Sequence, residues 1–126
     1  MAKILIAEDE KDIRELVAFT LRFAGFDVIT ATNGLEAVEV ATESLPDLIL
    51  MDVRMPKMTG YQACEKLKEQ EVTRNIPVVF LSAKGQESEI EQGLQSGAAQ
   101  YILKPFAPDE LTRQVNAILQ QAKESK

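Results

Sequence analysis

Residues 3–31 read KILIAEDEKDIRELVAFTLRFAGFDVITA and contain two kinds of hydrophobic pattern in succession. Residues 4–7 are continuously apolar, which is typical of a parallel strand that is buried on both faces. Residues 28–31 form a second apolar run, and between the two runs the apolar residues have helical spacing, with Gly25 as a C-terminal stop. The helical face is predicted to carry Ile13, Leu16, Val17, Leu21 and Ala24. The stretch therefore predicts a strand–helix–strand unit.

The same alternation continues along the rest of the chain. The remaining apolar runs, which we expect to be strands, cover residues 48–51, 78–81 and 100–103. The remaining helices are predicted to open at Asn33-Gly34, at a capping box of Thr59 and Gln62, before Ile90, and at Pro108. Short connections between parallel strands require right-handed crossovers. The sequence thus predicts an α/β fold, a (βα)5 doubly wound sandwich, as one domain over residues 1–126 with a polar tail at about 120–126.

The composition excludes several classes of function. The 126 residues include one cysteine, Cys64, and no histidine, so a disulfide framework, a multi-cysteine metal site and any histidine-based catalysis are excluded within this sequence. A net charge of −6 disfavours non-specific binding to nucleic acid or to an anionic membrane. No apolar run approaches the roughly 18 residues of a membrane span. We expect a cytoplasmic protein without direct nucleic-acid or membrane contacts.

Polar residues follow four of the five predicted strands. The acids Glu8, Asp9 and Glu10 come after the first strand, Asp52 after the third, Ser82 after the fourth and Lys104 after the fifth. Each has a purely structural interpretation, such as helix capping for the first acids or a turn role for Asp52. In an open α/β sheet, however, ligands bind beyond the carboxyl ends of the strands. The combination predicts a site at that edge.

Three carboxylates at one edge need a compensating charge. If Glu8, Asp9 and Asp52 lie within ~5 Å of one another, each pair repels by roughly 3 kcal/mol at an effective dielectric constant of 20. Either one carboxyl holds a proton, or a divalent cation binds among them. A few carboxylates with open coordination positions suit Mg²⁺, which retains water and accepts phosphate oxygens as further ligands. A cation, a lysine and a hydroxyl around one carboxylate are typical of a phosphoryl-binding site.

Four segments carry a resemblance to a known family. They are ILIAEDE (residues 4–10), DLILMDVRMPKMTG (47–60), VVFLSA (78–83) and YILKPF (101–106). In this order and at this spacing, they closely resemble the receiver domain of two-component response regulators, over essentially the whole chain. The resemblance implies a flavodoxin-like parallel sheet of strand order 2-1-3-4-5 and a phosphorylation-activated signalling switch rather than an enzyme acting on a free substrate.

The resemblance also implies roles for the acidic residues. Asp52 would be the phosphoacceptor, and the donor would be the phosphohistidine of a sensor histidine kinase or of a histidine phosphotransfer protein. Asp9, Asp52 and the backbone carbonyl of Arg54 would ligate Mg²⁺, for which Mn²⁺ can substitute, and Glu8 would act through a metal-bound water.

The basic and hydroxyl residues take the remaining implied roles. Lys104 would pair with the phosphoryl group, and Pro105 would follow a cis peptide. Ser82 would bind a phosphoryl oxygen, and Tyr101 would be the switch aromatic. The signal would pass to a downstream protein target through the face formed by the fourth predicted helix, the fifth strand and the fifth helix. The chain is expected to be a monomer or a phosphorylation-dependent dimer.

The sequence leaves four other functions to consider. A flavodoxin-like electron carrier is disfavoured because the loop after the first strand is acidic and repels phosphate. A haloacid-type phosphatase needs an Asp-x-Asp pair where this chain has Glu8-Asp9. A phosphorylation-independent pseudo-receiver that acts as a binding module, and an excised input domain of a larger transcriptional regulator, remain as alternatives.

Overall fold

The computed structural model describes residues 2–83, 100–104 and 107–124. Its strands are β1 (Lys3–Ala7), β2 (Asp27–Ala31), β3 (Leu48–Asp52), β4 (Val78–Ala83) and β5 (Gln100–Lys104). Its helices are α1 (Lys11–Phe23), α2 (Gly34–Ser44), α3 (Gly60–Glu69) and the C-terminal helix (Pro108–Glu124). The helix predicted to begin before Ile90 lies outside the described residues.

The five strands form one parallel sheet in the order β2-β1-β3-β4-β5. This confirms the predicted α/β fold and the strand order that the family resemblance implied. The register aligns the carboxyl ends of the strands, because Ala7 of β1 pairs with Met51 of β3 and Asp52 pairs with Leu81 of β4. Residues that follow β1 and β3 are therefore brought to the same edge of the sheet.

The hydrophobic core lies in two layers, one on each face of the sheet. Side chains of a strand alternate between faces, so neighbouring residues of one apolar run enter different layers. Leu5 and Ile49 belong to the layer that α2 and α3 cover, whereas Ile4 and Leu48 belong to the layer that α1 and the C-terminal helix cover. All four side chains are fully buried. The continuous apolar runs of the sequence result from this burial on both faces.

The predicted helix boundaries are confirmed at three places. The Thr59 hydroxyl accepts from the backbone N–H of Gln62, whose side chain accepts from the N–H of Thr59, which completes the capping box. The Asn33 side chain caps α2 by accepting from the N–H of Glu36 at 2.8 Å. At the end of α1, Gly25 adopts a φ of 99°, a left-handed conformation that glycine takes without strain.

Two residues of the predicted apolar face of α1 are exposed. Leu16 is 55% exposed, and Ala24 is an exposed residue just beyond the end of the helix. Leu16 faces a groove of about 740 Å³ between α1 and the C-terminal helix, which Phe19 and Phe23 also line. The two phenylalanine rings stack with their centroids 6.2 Å apart. The fully or nearly fully buried residues of α1 are Val17, Ala18 and Leu21.

The C-terminal helix is longer than the sequence pattern indicated. It includes residues 120–124, which were predicted to form part of a polar tail. Within the described part of the chain, no helix has both the length and the apolar character needed to cross a membrane. Cys64 is completely buried in the α2/α3 layer of the core, which agrees with a packing role for its thiol.

Candidate metal centre

Three carboxylates meet at the carboxyl edge of the sheet. Glu8, Asp9 and Asp52 each place a carboxylate oxygen within 4.8 Å of the other two. Glu8 and Asp9 follow β1 directly, and Asp52 is the last residue of β3. Because Ala7 pairs with Met51, the residue after β1 lies level with Asp52. The proximity predicted from the sequence is confirmed.

The three acids differ in their access to solvent. Glu8 is only 1% exposed, Asp52 is half-buried and Asp9 is exposed. The backbone N–H of Glu8 donates to the carbonyl of Ala31 at 3.0 Å, which extends the contact between β1 and β2 by one residue. Its Oε2 accepts from the N–H of Glu10 at 3.2 Å. The cluster therefore has a fixed, buried acid on its inner side and a solvent-accessible acid on its outer side.

Helix capping does not account for all the acids after β1. Glu10 occupies the N-cap position of α1, where an acidic side chain often accepts from an N–H of the first turn. It makes no such side-chain hydrogen bond. Side-chain capping by Glu10 is therefore absent, and the carboxylate of Glu8 both accepts from the N–H of Glu10 and belongs to the cluster.

The donor set fits a small divalent cation. Mg²⁺ binds oxygen at about 2.1 Å, so two of its octahedral ligands lie about 3.0 or 4.2 Å apart. The separations of up to 4.8 Å between the carboxylate oxygens need only small side-chain adjustments to reach this range. An acid that binds through a water molecule tolerates a longer separation. The residues present therefore fit a Mg²⁺ site, with hard, charged oxygen ligands.

The loop between β3 and α3 is held against the end of β3 by a glycine. The N–H of Gly60 donates to the carbonyl of Val53 at 2.9 Å. A Cβ atom at Gly60 would lie 2.4 Å from the backbone oxygen of Asp52, so no side chain fits there without a backbone shift. No local sequence pattern indicates this contact, although Gly60 lies within segment 47–60, one of the four that resemble a receiver domain.

A second glycine brings α2 against the same loop. A Cβ atom at Gly34 would lie 2.0 Å from the carbonyl oxygen of Met58. The sequence indicated this glycine only as part of a helix start. An Asn-Gly pair gives no information about contacts with residues distant in the chain. The loop itself contains a tight turn, in which Lys57 has a φ of 69° and the N–H of Met58 donates to the carbonyl of Pro56 at 2.7 Å.

The structure gives only the backbone positions of the other predicted site residues on β4 and β5. Asp52 pairs with Leu81, so Ser82 lies one residue further toward the carboxyl edge, in register with Leu103. Lys104 pairs with Ala83, again at this edge. The side chains of Ser82, Tyr101 and Lys104 lie outside the described part of the structure, as does Pro105 altogether. Arg54 is an exposed residue of the loop after β3.

Comparison with known proteins identifies the family. The model of the response regulator receiver domain matches residues 4–116. The chain belongs to this family. The acidic cluster and the glycine-held loop after Asp52 are thus features of a receiver domain, and the resemblance found in the four sequence segments is confirmed.

The receiver domain has relatives of two lengths. It is 43% identical over 116 residues to the phosphate regulon transcriptional regulatory protein PhoB of Pseudomonas aeruginosa, covering 92% of this chain and 51% of PhoB. The alkaline phosphatase synthesis transcriptional regulatory protein PhoP of Bacillus subtilis is 41% identical, with coverages of 95% and 49%. The chain thus spans about half the length of these curated relatives. The chemotaxis response regulator CheY4 of Vibrio cholerae superposes with a TM-score of 0.89 at 33% identity, with coverages of 94% and 98%.

Proposed function

We propose that this receiver domain is a Mg²⁺-dependent switch that accepts a phosphoryl group on Asp52. The donor is the phosphohistidine of a sensor histidine kinase or of a histidine phosphotransfer protein. One observation carries the proposal, namely the cluster of Glu8, Asp9 and Asp52 within 4.8 Å at the carboxyl edge of a receiver-domain sheet. The half-buried position of Asp52 supports the assignment, because it leaves the carboxylate both fixed and reachable.

The transfer is a single displacement at phosphorus. A carboxylate oxygen of Asp52 forms the new O–P bond, the P–N bond to the donor histidine breaks, and the bonding electron pair leaves with the histidine nitrogen. A bound Mg²⁺, or Mn²⁺ in its place, would neutralise part of the charge on the carboxylates and the phosphoryl oxygens. Asp9, Asp52 and the carbonyl of Arg54 would hold the ion directly, and Glu8 would hold one of its water ligands.

Residues of β4 and β5 complete the proposed site. Lys104 would pair with the phosphoryl group, and the peptide bond to Pro105 would orient the Lys104 side chain. Ser82 would donate a hydrogen bond to a phosphoryl oxygen. The register supports this, because the backbone positions of Ser82 and Lys104 lie one and two residues beyond the level of Asp52. Phosphorylation would shift an equilibrium between two conformations, in which Tyr101 changes position together with Ser82.

The output is proposed to be a protein contact. The face that includes β5 and the C-terminal helix would bind a downstream target, or a second copy in a phosphorylation-dependent dimer, and no direct contact with nucleic acid is needed. We propose a cytoplasmic location, and phosphotransfer and dephosphorylation of the domain itself in place of turnover of a free substrate. The proposed switch chemistry does not depend on whether the receiver domain acts alone or as part of a longer regulator.

Intact-mass measurement after incubation with acetyl phosphate tests the proposal. Wild type is expected to gain one phosphoryl group when Mg²⁺ is present and none when it is chelated. Asp52→Asn should gain none. Asp47→Asn is the matched control, because Asp47 lies at the opposite end of β3, where its carboxylate accepts from the N–H of Lys3 at 2.8 Å. The absence of any adduct in wild type would favour a phosphorylation-independent pseudo-receiver.

A further inference from the structure

Arg14 reaches from the first turns of α1 back to the acidic loop after β1. Its Nη1 donates to the carbonyl oxygen of Glu8 at 2.8 Å and, in a longer contact, to that of Asp9 at 3.4 Å. The side chain is half-buried, and the backbone N–H of Arg14 donates to the carbonyl of Glu10 at 2.9 Å. One guanidinium nitrogen thus contacts two consecutive peptide groups of the loop.

These two contacts constrain the backbone of Asp9 on both sides. The carbonyl of Glu8 belongs to the peptide plane before Asp9, whose orientation sets φ of Asp9. The carbonyl of Asp9 belongs to the following plane, whose orientation sets ψ. Asp9 is exposed, so core packing does not hold its carboxylate in place. The guanidinium of Arg14 therefore orients the backbone of Asp9 through hydrogen bonds, whereas Glu8 is held in place by burial.

The positive charge of Arg14 acts in the opposite direction. The guanidinium is a permanent cation that contacts the backbone of Glu8 and Asp9, so it repels a divalent cation that enters the cluster. Loss of the charge alone would therefore tighten Mg²⁺ binding, whereas loss of the backbone contacts would weaken it. The sign of the change in affinity separates the two effects.

We propose that Arg14 is a positioning residue that orients Asp9 for cation binding, and that this effect outweighs the repulsion by its charge. The proposal rests on the proposed Mg²⁺ site but not on phosphorylation. Residues that orient metal ligands commonly change metal affinity by about 10-fold or more when they are removed. We therefore expect Arg14→Ala to weaken Mg²⁺ binding by about tenfold.

Isothermal titration calorimetry with Mg²⁺ on the folded chain tests the proposal. Arg22→Ala is the matched control, because Arg22 lies on the same helix and its Nη2 also contacts a backbone carbonyl, that of Val28 at 3.4 Å, away from the cluster. Arg22→Ala should change the Kd less than twofold. Arg14→Lys retains the charge and part of the donor capacity, so it should restore part of the affinity lost in Arg14→Ala. Circular dichroism verifies that each variant is folded.

The outcomes separate this proposal from the proposed function. If wild type does not bind Mg²⁺, the metal site itself is wrong. If wild type binds and folded Arg14→Ala binds equally well or more tightly, the positioning role of Arg14 is wrong and the metal site stands. Should Arg14→Ala not fold, Arg14→Lys decides, since an unchanged Kd would overturn the proposal and a Kd raised more than twofold would support it.

Discussion

Removal of the Asp52 charge is expected to stabilise the metal-free domain, although it removes the proposed phosphoacceptor. Asp52→Asn preserves the shape of the side chain and eliminates two of the three carboxylate pairs in the cluster. The gain should be confined to conditions without a divalent cation. A stability gain at a functional residue is expected where function requires like charges to be held together.

The magnitude follows from the separations and the burial. At 4.8 Å, two unit charges repel by about 3.5 kcal/mol at a dielectric constant of 20 and by about 0.9 kcal/mol in water. The pair of Glu8 and Asp52 is closer to the first value because both are at least half-buried, and the pair with exposed Asp9 is closer to the second. The cost of protonating one carboxyl sets an upper limit on the net repulsion. For an unperturbed glutamic acid at pH 7, this free-energy cost is about 3.7 kcal/mol.

After the weaker hydrogen bonding of the amide is subtracted, we expect Asp52→Asn to raise the free energy of unfolding by about 1–3 kcal/mol in EDTA at pH 7. Urea unfolding followed by far-ultraviolet circular dichroism measures this, which suits a chain without tryptophan. Glu65→Gln, an equal charge change at an exposed position of α3, is the control. Excess Mg²⁺ should stabilise wild type more than the variant, because binding to the native state alone adds stability.

Two results would refute this reasoning. One is a stability of Asp52→Asn in EDTA that is equal to or below that of wild type, after the effect of the control is subtracted. The other is a difference between variant and wild type that stays the same in EDTA and in Mg²⁺. Either result would mean that the three carboxylates do not form a mutually repelling cation site.

Three further predictions concern the loops around the site and the core. Gly60→Ala should lower the free energy of unfolding by about 2–3 kcal/mol and weaken Mg²⁺ binding, because its Cβ would meet the Asp52 carbonyl at 2.4 Å. Leu45→Gly should raise the melting temperature, with a gain of about 1 kcal/mol, because Leu45 ends α2 at a φ of 47° with a half-exposed side chain. Burial lowers the pKa of the Lys68 amine, which donates to backbone carbonyls at 3.0 and 2.8 Å. The unfolded chain then binds the Lys68 proton more tightly, so the stability of wild type relative to Lys68→Gln should rise as the pH increases toward about 10.4, the ordinary lysine value.

Each of these predictions has a contradicting result. A folded Gly60→Ala with wild-type stability and Mg²⁺ affinity would mean that residue 60 is not in close contact with the end of β3. An unchanged or lowered melting temperature for Leu45→Gly would mean that the left-handed residue is not strained. For Lys68, the matched control is Lys66→Gln on the exposed side of the same helix. A pH trend that is flat, or equal to that of the control, would contradict the lowered pKa.

The fold was predictable because its signals are local. Apolar runs marked the strands to within a residue or two, and the capping box of Thr59 and Gln62 marked the start of α3. The acidic cluster was predictable for a related reason. Once the strands are parallel and joined by helices, topology brings the ends of β1 and β3 to one edge. The carboxylate oxygens of the three acids lie within 4.8 Å of one another, as expected for residues at one edge.

The features that were not predicted depend on contacts distant in the chain. The exposure of Leu16 depends on where the C-terminal helix packs, so its spacing along α1 was not sufficient. The need for glycine at residue 34 arises from the carbonyl of Met58, which lies in another loop. The contact of Arg14 with two carbonyls depends on the path of the chain between β1 and α1. Hydrophobic periodicity contains no information on such polar contacts.

Chemical trapping of the phosphorylated residue tests the central claim most directly. Borohydride reduces an aspartyl phosphate to homoserine, which peptide mass mapping locates after incubation of the domain with acetyl phosphate. The account predicts homoserine at position 52 when Mg²⁺ is present and no homoserine when it is chelated. Homoserine at position 9, or trapping at position 52 that is equally efficient without a divalent cation, would contradict the assignment of Asp52 as the acceptor in a metal-dependent site.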